Sequence, residues 1–197
     1  MCAGAVIDRS CSGMARLVLC WVFFISFSNS LLAQKVYLST NLLDCANFGT
    51  INGEIGLAVS KHFSVYAQGR YNPFEFKFKG ESQVNNRQIS VGLGSKYWLW
   101  RTYSGCFLMA QAGWKKFNIG GLFSRSTYEG DAYGLTVGAG YALMLAARWN
   151  IDFGAGIMVG YTDYIKYDCP VCGKITGAKR GLFVAPDNLQ IQLSYLF

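Results

Sequence analysis

The 197-residue sequence is poor in charged residues, proline and histidine. Only 15% of its residues are charged, against about 25% in soluble globular domains. Beyond residue 34 it has no apolar run of the roughly 18 residues that a membrane-spanning helix needs. These shortages argue against an ordinary soluble domain and against a helical membrane bundle. The 16% of aromatic residues and the 23 glycines favour β-structure in a membrane instead.

The first 33 residues have the pattern of an export signal. Arg9 and Arg16 precede an apolar run over residues 17–27, and Ala33 is the small residue at which a signal peptidase would cut. We predict a cleaved signal peptide over 1–33 and one mature domain over 34–197, with a transmembrane anchor as the alternative. Two methionines are candidate translation starts: Met1 and Met14.

Alternation of apolar and polar residues predicts eight strands in the mature domain. The clearest is the last segment, residues 189–197, in which every second residue is apolar. Short turns near residues 61, 103 and 147 alternate with longer connections, predicted over 44–49, 74–86, 118–130 and 163–186. An even strand count with alternating short and long connections is typical of transmembrane barrels, whose short turns face the periplasm.

Aromatic residues lie at both ends of the apolar phase, with aliphatic residues between them. The group near the short turns comes first, then the group near the long loops: Phe63, Tyr97, Tyr141, Trp149, Tyr195 and Phe197; Tyr71, Trp114, Tyr133 and Tyr161. The two interfaces of a bilayer select such girdles. We predict an all-β fold, an eight-stranded antiparallel up-and-down transmembrane β-barrel in the outer membrane. A soluble barrel, the alternative, would place the apolar phase inside.

The chain ends on an aromatic residue, Phe197, with Tyr195 two positions before it. This ending resembles the closing strand of bacterial outer-membrane barrels, whose terminal aromatic the assembly machinery reads. The resemblance implies that Tyr195 and Phe197 form an assembly signal. It also implies that outer-membrane lipid and the barrel-assembly machinery are partners.

The polar phase carries charges of both signs, at Glu54, Arg70, Lys96, Lys115 and Asp152. Side chains fill the interior of an eight-stranded barrel, so no wide channel is expected. Buried charges are costly unless they are paired. We therefore predict a paired network that plugs the barrel, with a narrow ion or solute channel as the alternative.

Catalysis is not expected from these residues. Acyl transfer needs a nucleophile beside a general base, and the single histidine, His62, falls in a short turn, away from the long loops. We predict no enzymatic activity, no cofactor and no metal site. A lipid-modifying enzyme that relies on acids such as Glu129 or Asp131 is the less favoured alternative.

Four of the seven cysteines follow the predicted signal peptide: Cys45, Cys106, Cys169 and Cys172. Cys45 and Cys106 fall at opposite rims, too far apart to form a bridge. Cys169 and Cys172 form a C-x-x-C motif, which supplies two of the four ligands of a structural zinc site. We predict a local loop disulfide, as in other exported proteins. A redox-active pair and a partial metal site are the alternatives.

The net charge of +7 is compatible with an ordinary basic surface or with a polyanionic partner such as a phosphorylated glycolipid. No basic stripe or base-reading motif accompanies it, so we expect no nucleic-acid binding.

Six short segments carry a family resemblance: residues 40–43, 71–73, 96–98, 117–121, 148–150 and 164–173. Together they resemble an uncharacterised outer-membrane barrel family of Bacteroidetes, a domain of unknown function. The most specific segment is the last, which reads Tyr-x-Lys-Tyr-x-Cys-x-x-Cys-Gly. The resemblance covers residues 35–197 and implies an eight-stranded barrel, an association with fimbria-like surface systems and no catalytic residues. Members of the family that it resembles often have histidines in the fifth strand, where this chain has Gln111.

From these patterns we expect a monomeric structural or surface-binding module. Its extracellular loops would contact a surface protein or glycan.

Overall fold

The structure is a computed structural model that describes residues 36–47, 49–77, 83–120, 126–168 and 174–197. Contacts divide the chain into two units, Met1–Ala33 and Gln34–Phe197, and every described residue belongs to the second. The predicted signal peptide lies outside the described residues. The predicted disulfide between Cys169 and Cys172 lies outside them too.

The described residues form nine β-strands and one short helix. In chain order these are β1 (Val36–Asn41), α1 (Leu42–Ala46), β2 (Ile51–Ser60), β3 (Phe63–Asn72), β4 (Glu75–Lys77), β5 (Gln83–Trp98), β6 (Gly105–Gly120), β7 (Thr127–Ala146), β8 (Trp149–Tyr167) and β9 (Ile175–Leu196). Within the described ranges, no helix is long and apolar enough to cross a membrane.

Antiparallel pairing joins the strands into one sheet that closes in a ring. The strand order is β3-β2-β1-β9-β8-β7-β6-β5-β4, and β3 also pairs with β5. β4 continues β3 along the same edge of β5, after a break at Pro73, which has no backbone N–H to donate. The ring therefore has eight strand positions in up-and-down order, which confirms the predicted strand number and order.

The apolar phase of the strands faces outward, and the polar phase is buried inside the ring. Leu93 and Val137 are 69% and 58% exposed, whereas Lys96 and Gln192 are 1% and 3% exposed. Water-soluble proteins bury apolar side chains and expose polar ones. The predicted phases are therefore confirmed, and the ring is inside out relative to a soluble domain.

The first strand is shorter than the alternation predicted. The connection predicted over 44–49 implies a first strand that reaches Leu43, but β1 ends at Asn41 and α1 follows. The Asn41 side chain accepts a hydrogen bond from the Leu43 N–H at 3.2 Å and donates to Asp44 Oδ2 at 2.9 Å. This local bonding is the capping pattern that starts a helix, and it replaces the strand.

The sheet extends further at the long-loop end than the sequence predicted. β8 reaches Tyr167 and β9 begins at Ile175, so most of the connection predicted over 163–186 is strand. The β6–β7 ladder likewise continues to the pair formed by Gly120 and Thr127. Charged and polar residues enter the outward face here. The apolar alternation is therefore lost, although the backbone pairing continues.

A bulge in β9 interrupts the alternation of inward and outward residues. Gly154 pairs with Gln190 and Gly156 pairs with Asp187, so β9 has one residue more than β8 over this interval. Asn188 adopts a left-handed φ of 51°, which asparagine tolerates better than most residues. Asp187 and Asn188 are adjacent, and both are buried. Without the bulge, strict alternation would place only one of these two neighbours inside the ring.

Candidate functional site in the polar interior

Lys96 of β5 and Glu54 of β2 form the most buried ion pair of the described residues. Lys96 Nζ lies 2.6 Å from Glu54 Oε1, and the two side chains are 1% and 3% exposed. Glu54 also accepts hydrogen bonds from Tyr37 Oη at 2.5 Å and from Gln192 Nε2 at 2.9 Å. These additional donors stabilise the carboxylate, because a buried ion pair needs its remaining hydrogen-bonding capacity satisfied.

Three aromatic rings surround the Lys96 ammonium group. Nζ lies 5.2, 4.9 and 5.4 Å from the ring centroids of Tyr37, Tyr66 and Phe107. Gly56 leaves the space for one of them, since a Cβ there would lie 2.1 Å from Tyr37 Cε1. At such distances the ring faces attract a cation. The rings and Glu54 together surround the Lys96 ammonium group with attractive contacts.

An aromatic cluster closes the interior next to the short turns. Tyr103, in the turn between β5 and β6, is buried and has a left-handed φ of 69°. Its ring centroid lies 5.1 Å from that of Tyr37 and 5.7 Å from that of Trp98, which in turn lies 4.9 Å from that of Phe107. Asn150 Nδ2 donates to the Tyr103 carbonyl at 2.6 Å and ties the turn to β8. Burial raises the pKa of the Tyr103 phenol above its usual range, so the ring stays uncharged.

A second charged group lies nearer the long loops and centres on Asp187 of β9. Lys115 of β6 forms an ion pair with Asp187, and Thr136 Oγ1 of β7 donates to its other oxygen at 2.8 Å. Arg70 of β3 lies 4.0 Å from Asp187 Oδ1 and 3.0 Å from Asp44 Oδ2 of α1. This group therefore connects four strands and the helix.

Amide side chains lie between the Lys96–Glu54 pair and the group centred on Asp187. Gln111 Oε1 accepts hydrogen bonds from Tyr66 Oη at 3.0 Å, Gln68 Nε2 at 2.8 Å and Asn188 Nδ2 at 3.0 Å. Arg70 donates to Asn188 Oδ1. Hydrogen bonds therefore reach from Tyr66, one of the rings around Lys96, to Arg70 near the long-loop end of the ring.

The five charges predicted inside the barrel do not form a single cluster. Glu54 pairs with Lys96, and both Arg70 and Lys115 lie within 4.0 Å of Asp187. Asp152 has no ion-pair partner among the described residues, although Ser194 Oγ donates to its Oδ2 at 3.0 Å. Its Oδ1 is buried without a hydrogen-bond partner in the described part of the chain.

Two acids of this network, Asp187 and Asp44, were not predicted from the sequence. Asp187 came directly after a predicted loop, and Asp44 was assigned to a turn. Pro186 was an available signal for the first, because proline inside a strand is confined to edges and bulges. No signal pointed to Asp44, which reaches Arg70 only because α1 begins immediately after β1.

The predicted assembly signal lies where the ring closes. The Phe197 N–H donates to the Val36 carbonyl at 2.9 Å, and Phe197 is exposed. The Tyr195 ring centroid lies 5.0 Å from that of Trp149 and 4.9 Å from that of Phe197. The three rings form an outward aromatic cluster next to the short turns.

The remaining candidate residues lie outside the interior network. His62 Nδ1 lies 3.0 Å from the Trp98 carbonyl in the turn between β2 and β3. Cys45 and Cys106 are exposed free thiols. Among the described residues, no three His, Cys, Asp or Glu side chains are grouped to hold a metal ion.

A family model described as a protein of unknown function, DUF3575, matches residues 17–197. The chain belongs to the DUF3575 family. No curated protein and no solved structure gives a significant match. Membership of a family of unknown function is thus established, whereas the origin in Bacteroidetes and the Tyr-x-Lys-Tyr-x-Cys-x-x-Cys-Gly motif stay predictions.

In this DUF3575 chain the ion pairs of the interior connect different strands of the ring to one another. Every described acid or base of the network except Asp152 has an opposite charge within 4.0 Å. Such paired groups stabilise one arrangement of the ring, because separating them would leave buried charges unpaired.

Proposed function

We propose that this protein is an outer-membrane β-barrel with a plugged interior that presents its long loops as a structural or surface-binding module. The observation that carries the proposal is the belt of exposed apolar side chains on the outside of the closed ring, among them Leu93, Leu135 and Val137. A belt of this extent would drive aggregation in water. Hydrocarbon covers it at no cost, and a closed ring leaves no unpaired strand edge in the lipid.

The order of side chains along β7 supports a bilayer around this belt. Tyr133, Leu135, Val137 and Tyr141 are all exposed on the outward face, with the aromatic residues at the two ends. The two tyrosines are eight residues apart, which is about 27 Å along a strand. A strand tilt of about 40° reduces this to about 21 Å across the membrane. That height is comparable with the apolar band of known outer-membrane barrels, about 25 Å.

The interior supports a plug rather than a channel. The Lys96–Glu54 pair, the rings around it and the Tyr103 turn cross the ring near the short turns. The Asp187 group crosses it again near the long loops. An ion would have to displace both groups to pass.

Fractionation and conductance test the barrel and its plug in one preparation. We expect the protein to sediment with outer membranes, to begin near Gln34 after processing and to migrate faster on gels when unboiled. In planar bilayers it should give no discrete conductance steps. Recovery as a water-soluble monomer without detergent would overturn the barrel, and regular steps would favour the narrow-channel alternative.

The surface role rests on the hairpin of β8 and β9, which extends beyond the outward-facing pair of Tyr133 and Tyr161. Asp163 and Arg180 are partners in the ladder, and the hairpin continues from them to the pair formed by Tyr167 and Ile175. Apolar Ile175 is exposed on this extension. Such an exposed hairpin is suited to contacting a surface protein or glycan.

Shortening this hairpin should separate binding from folding. Replacing residues 164–179 by a tight turn joins Asp163 to Arg180, which already face each other. We expect the unboiled gel mobility to be retained while adhesion of intact cells to glycan arrays and immobilised surface proteins is lost. Unchanged adhesion by the shortened protein would overturn the surface role.

A further inference from the structure

A row of four charged side chains crosses the outward face at the long-loop end of the sheet. These residues are consecutive partners in the β6–β9 ladder: Lys116, Asp131, Asp163 and Arg180. The next outward row toward the short turns is Trp114, Tyr133, Tyr161 and Leu182. The row after that is Ala112, Leu135, Val159 and Val184. One face thus passes from aliphatic to mainly aromatic to charged residues.

An open groove of about 730 Å³ lies over the charged and aromatic rows. Tyr133 and Tyr161, whose ring centroids are 5.8 Å apart, line its side toward the aliphatic row, and Ile165 and Tyr167 line its side toward the long loops. Its polar part is formed by the charged row together with Glu129. A ligand in this groove would contact both a polar and an apolar surface.

The charges of the groove follow the order positive, negative, negative, positive. Arg180 is bound to Asp163, with Nη2 at 2.5 Å and Nε at 2.9 Å from the same oxygen, Oδ2. Within the described residues, Lys116, Asp131 and Glu129 have no ion pair. Two aspartates directly opposite each other on neighbouring strands repel. A cation placed between Asp131 and Asp163 would relieve that repulsion.

A zwitterionic ligand fits this pattern better than a purely anionic one. The groove holds three carboxylates and two cationic side chains, so a simple anion would meet a net negative surface. A primary ammonium can donate hydrogen bonds to both aspartates, and charge-assisted bonds of this kind are the strong ones. The ammonium of Lys116, which has no ion pair among the described residues, is available for an adjacent phosphate.

We propose that this groove binds the phosphoethanolamine headgroup of a membrane lipid, with the ammonium between Asp131 and Asp163 and the phosphate at Lys116. The acyl chains would continue over Tyr133 and Tyr161 toward the aliphatic row, which is why the ligand is a lipid rather than a soluble phosphoethanolamine. The inference rests on the proposed membrane location, because it places the charged row at headgroup height.

Lipid titration of the full-length processed protein in detergent tests the site. Short-chain phosphatidylethanolamine should bind about tenfold more tightly than phosphatidylcholine, whose methylated ammonium cannot donate hydrogen bonds to the carboxylates. In the double variant Asp131→Asn/Asp163→Asn this preference should fall below about twofold. Asp168→Asn, which removes an exposed aspartate outside the groove, is the matched control and should keep the preference.

Three results would overturn the headgroup site. They are equal binding of the two lipids, a preference that survives in the double variant, and magnesium-dependent binding of phosphatidylglycerol that EDTA abolishes. The last result would indicate a divalent cation between the aspartates in place of the ammonium. Unboiled gel mobility of the same samples separates the two proposals. A protein that folds as a barrel but shows no preference contradicts only the headgroup site, whereas one that stays water-soluble contradicts both.

Discussion

Replacing Lys96 by methionine should lower the free energy of unfolding by about 3–5 kcal/mol, because Glu54 would keep a buried charge without its cation. The Glu54 carboxylate would retain Tyr37 and Gln192 as donors, but neither carries a positive charge. Tryptophan fluorescence during urea unfolding in lipid vesicles measures the change. A loss below about 1 kcal/mol would contradict the assigned pairing.

Two companion variants distinguish the ion pair from simple packing. The double variant Lys96→Met/Glu54→Gln should recover most of the lost stability, because neither buried charge remains. Asp152→Asn is the matched acid control. Asp152 has no ion-pair partner among the described residues, so we expect its replacement to be neutral or slightly stabilising. A loss for Asp152→Asn as large as that for Lys96→Met would show that the pair has no special role.

Placing an arginine at Val137 should destabilise the protein in lipid vesicles by about 2–4 kcal/mol, the cost of a charge on a lipid-facing strand near the bilayer midplane. Val137 is exposed in the middle of the outward face of β7, between Tyr133 and Tyr141. The same urea titration measures the effect. In a water-soluble protein an exposed valine would tolerate this change within about 0.5 kcal/mol.

Ala178→Arg provides the matched control for depth. Ala178 is also exposed, on β9 beyond the charged row, where its ladder partner is Ile165. We expect a cost of about 0–1 kcal/mol there, as at an interface. Similar costs at both positions would argue against a bilayer around the belt.

The strand faces could be read from the sequence because the two sides of the sheet differ strongly in chemistry. Gln192 and Ser194 alternate with Leu193 and Tyr195, and a one-residue error in register would reverse every assignment. The structure buries Gln192 and Ser194 as predicted. The same contrast explains why the predicted strands ended too early: beyond Tyr161, polar residues occupy both faces and the pattern disappears.

The pairing inside the ring could not be read from the sequence. Alternation places Glu54, Lys96 and Asp152 on the inward phase but gives neither their height nor their angle around the ring. Which acid reaches Lys96 depends on the stagger between strands and on side-chain length, and the structure selects Glu54. The inward position of Asp187 depends on the β9 bulge. The buried position of Tyr103 depends on a turn in which Tyr103 itself has a left-handed φ.

The first and last strands of the ring, β1 and β9, pair with each other and close it. The seam between them runs over only five residue pairs, from Tyr37 with Leu196 to Asn41 with Gln192. These partners are about 150 positions apart in the chain, and contacts of such long range form slowly. Because β1 is synthesised first and β9 last, one edge of β1 stays unpaired until β9 has been made. Sealing this seam is therefore expected to be the last and slowest step in forming the ring.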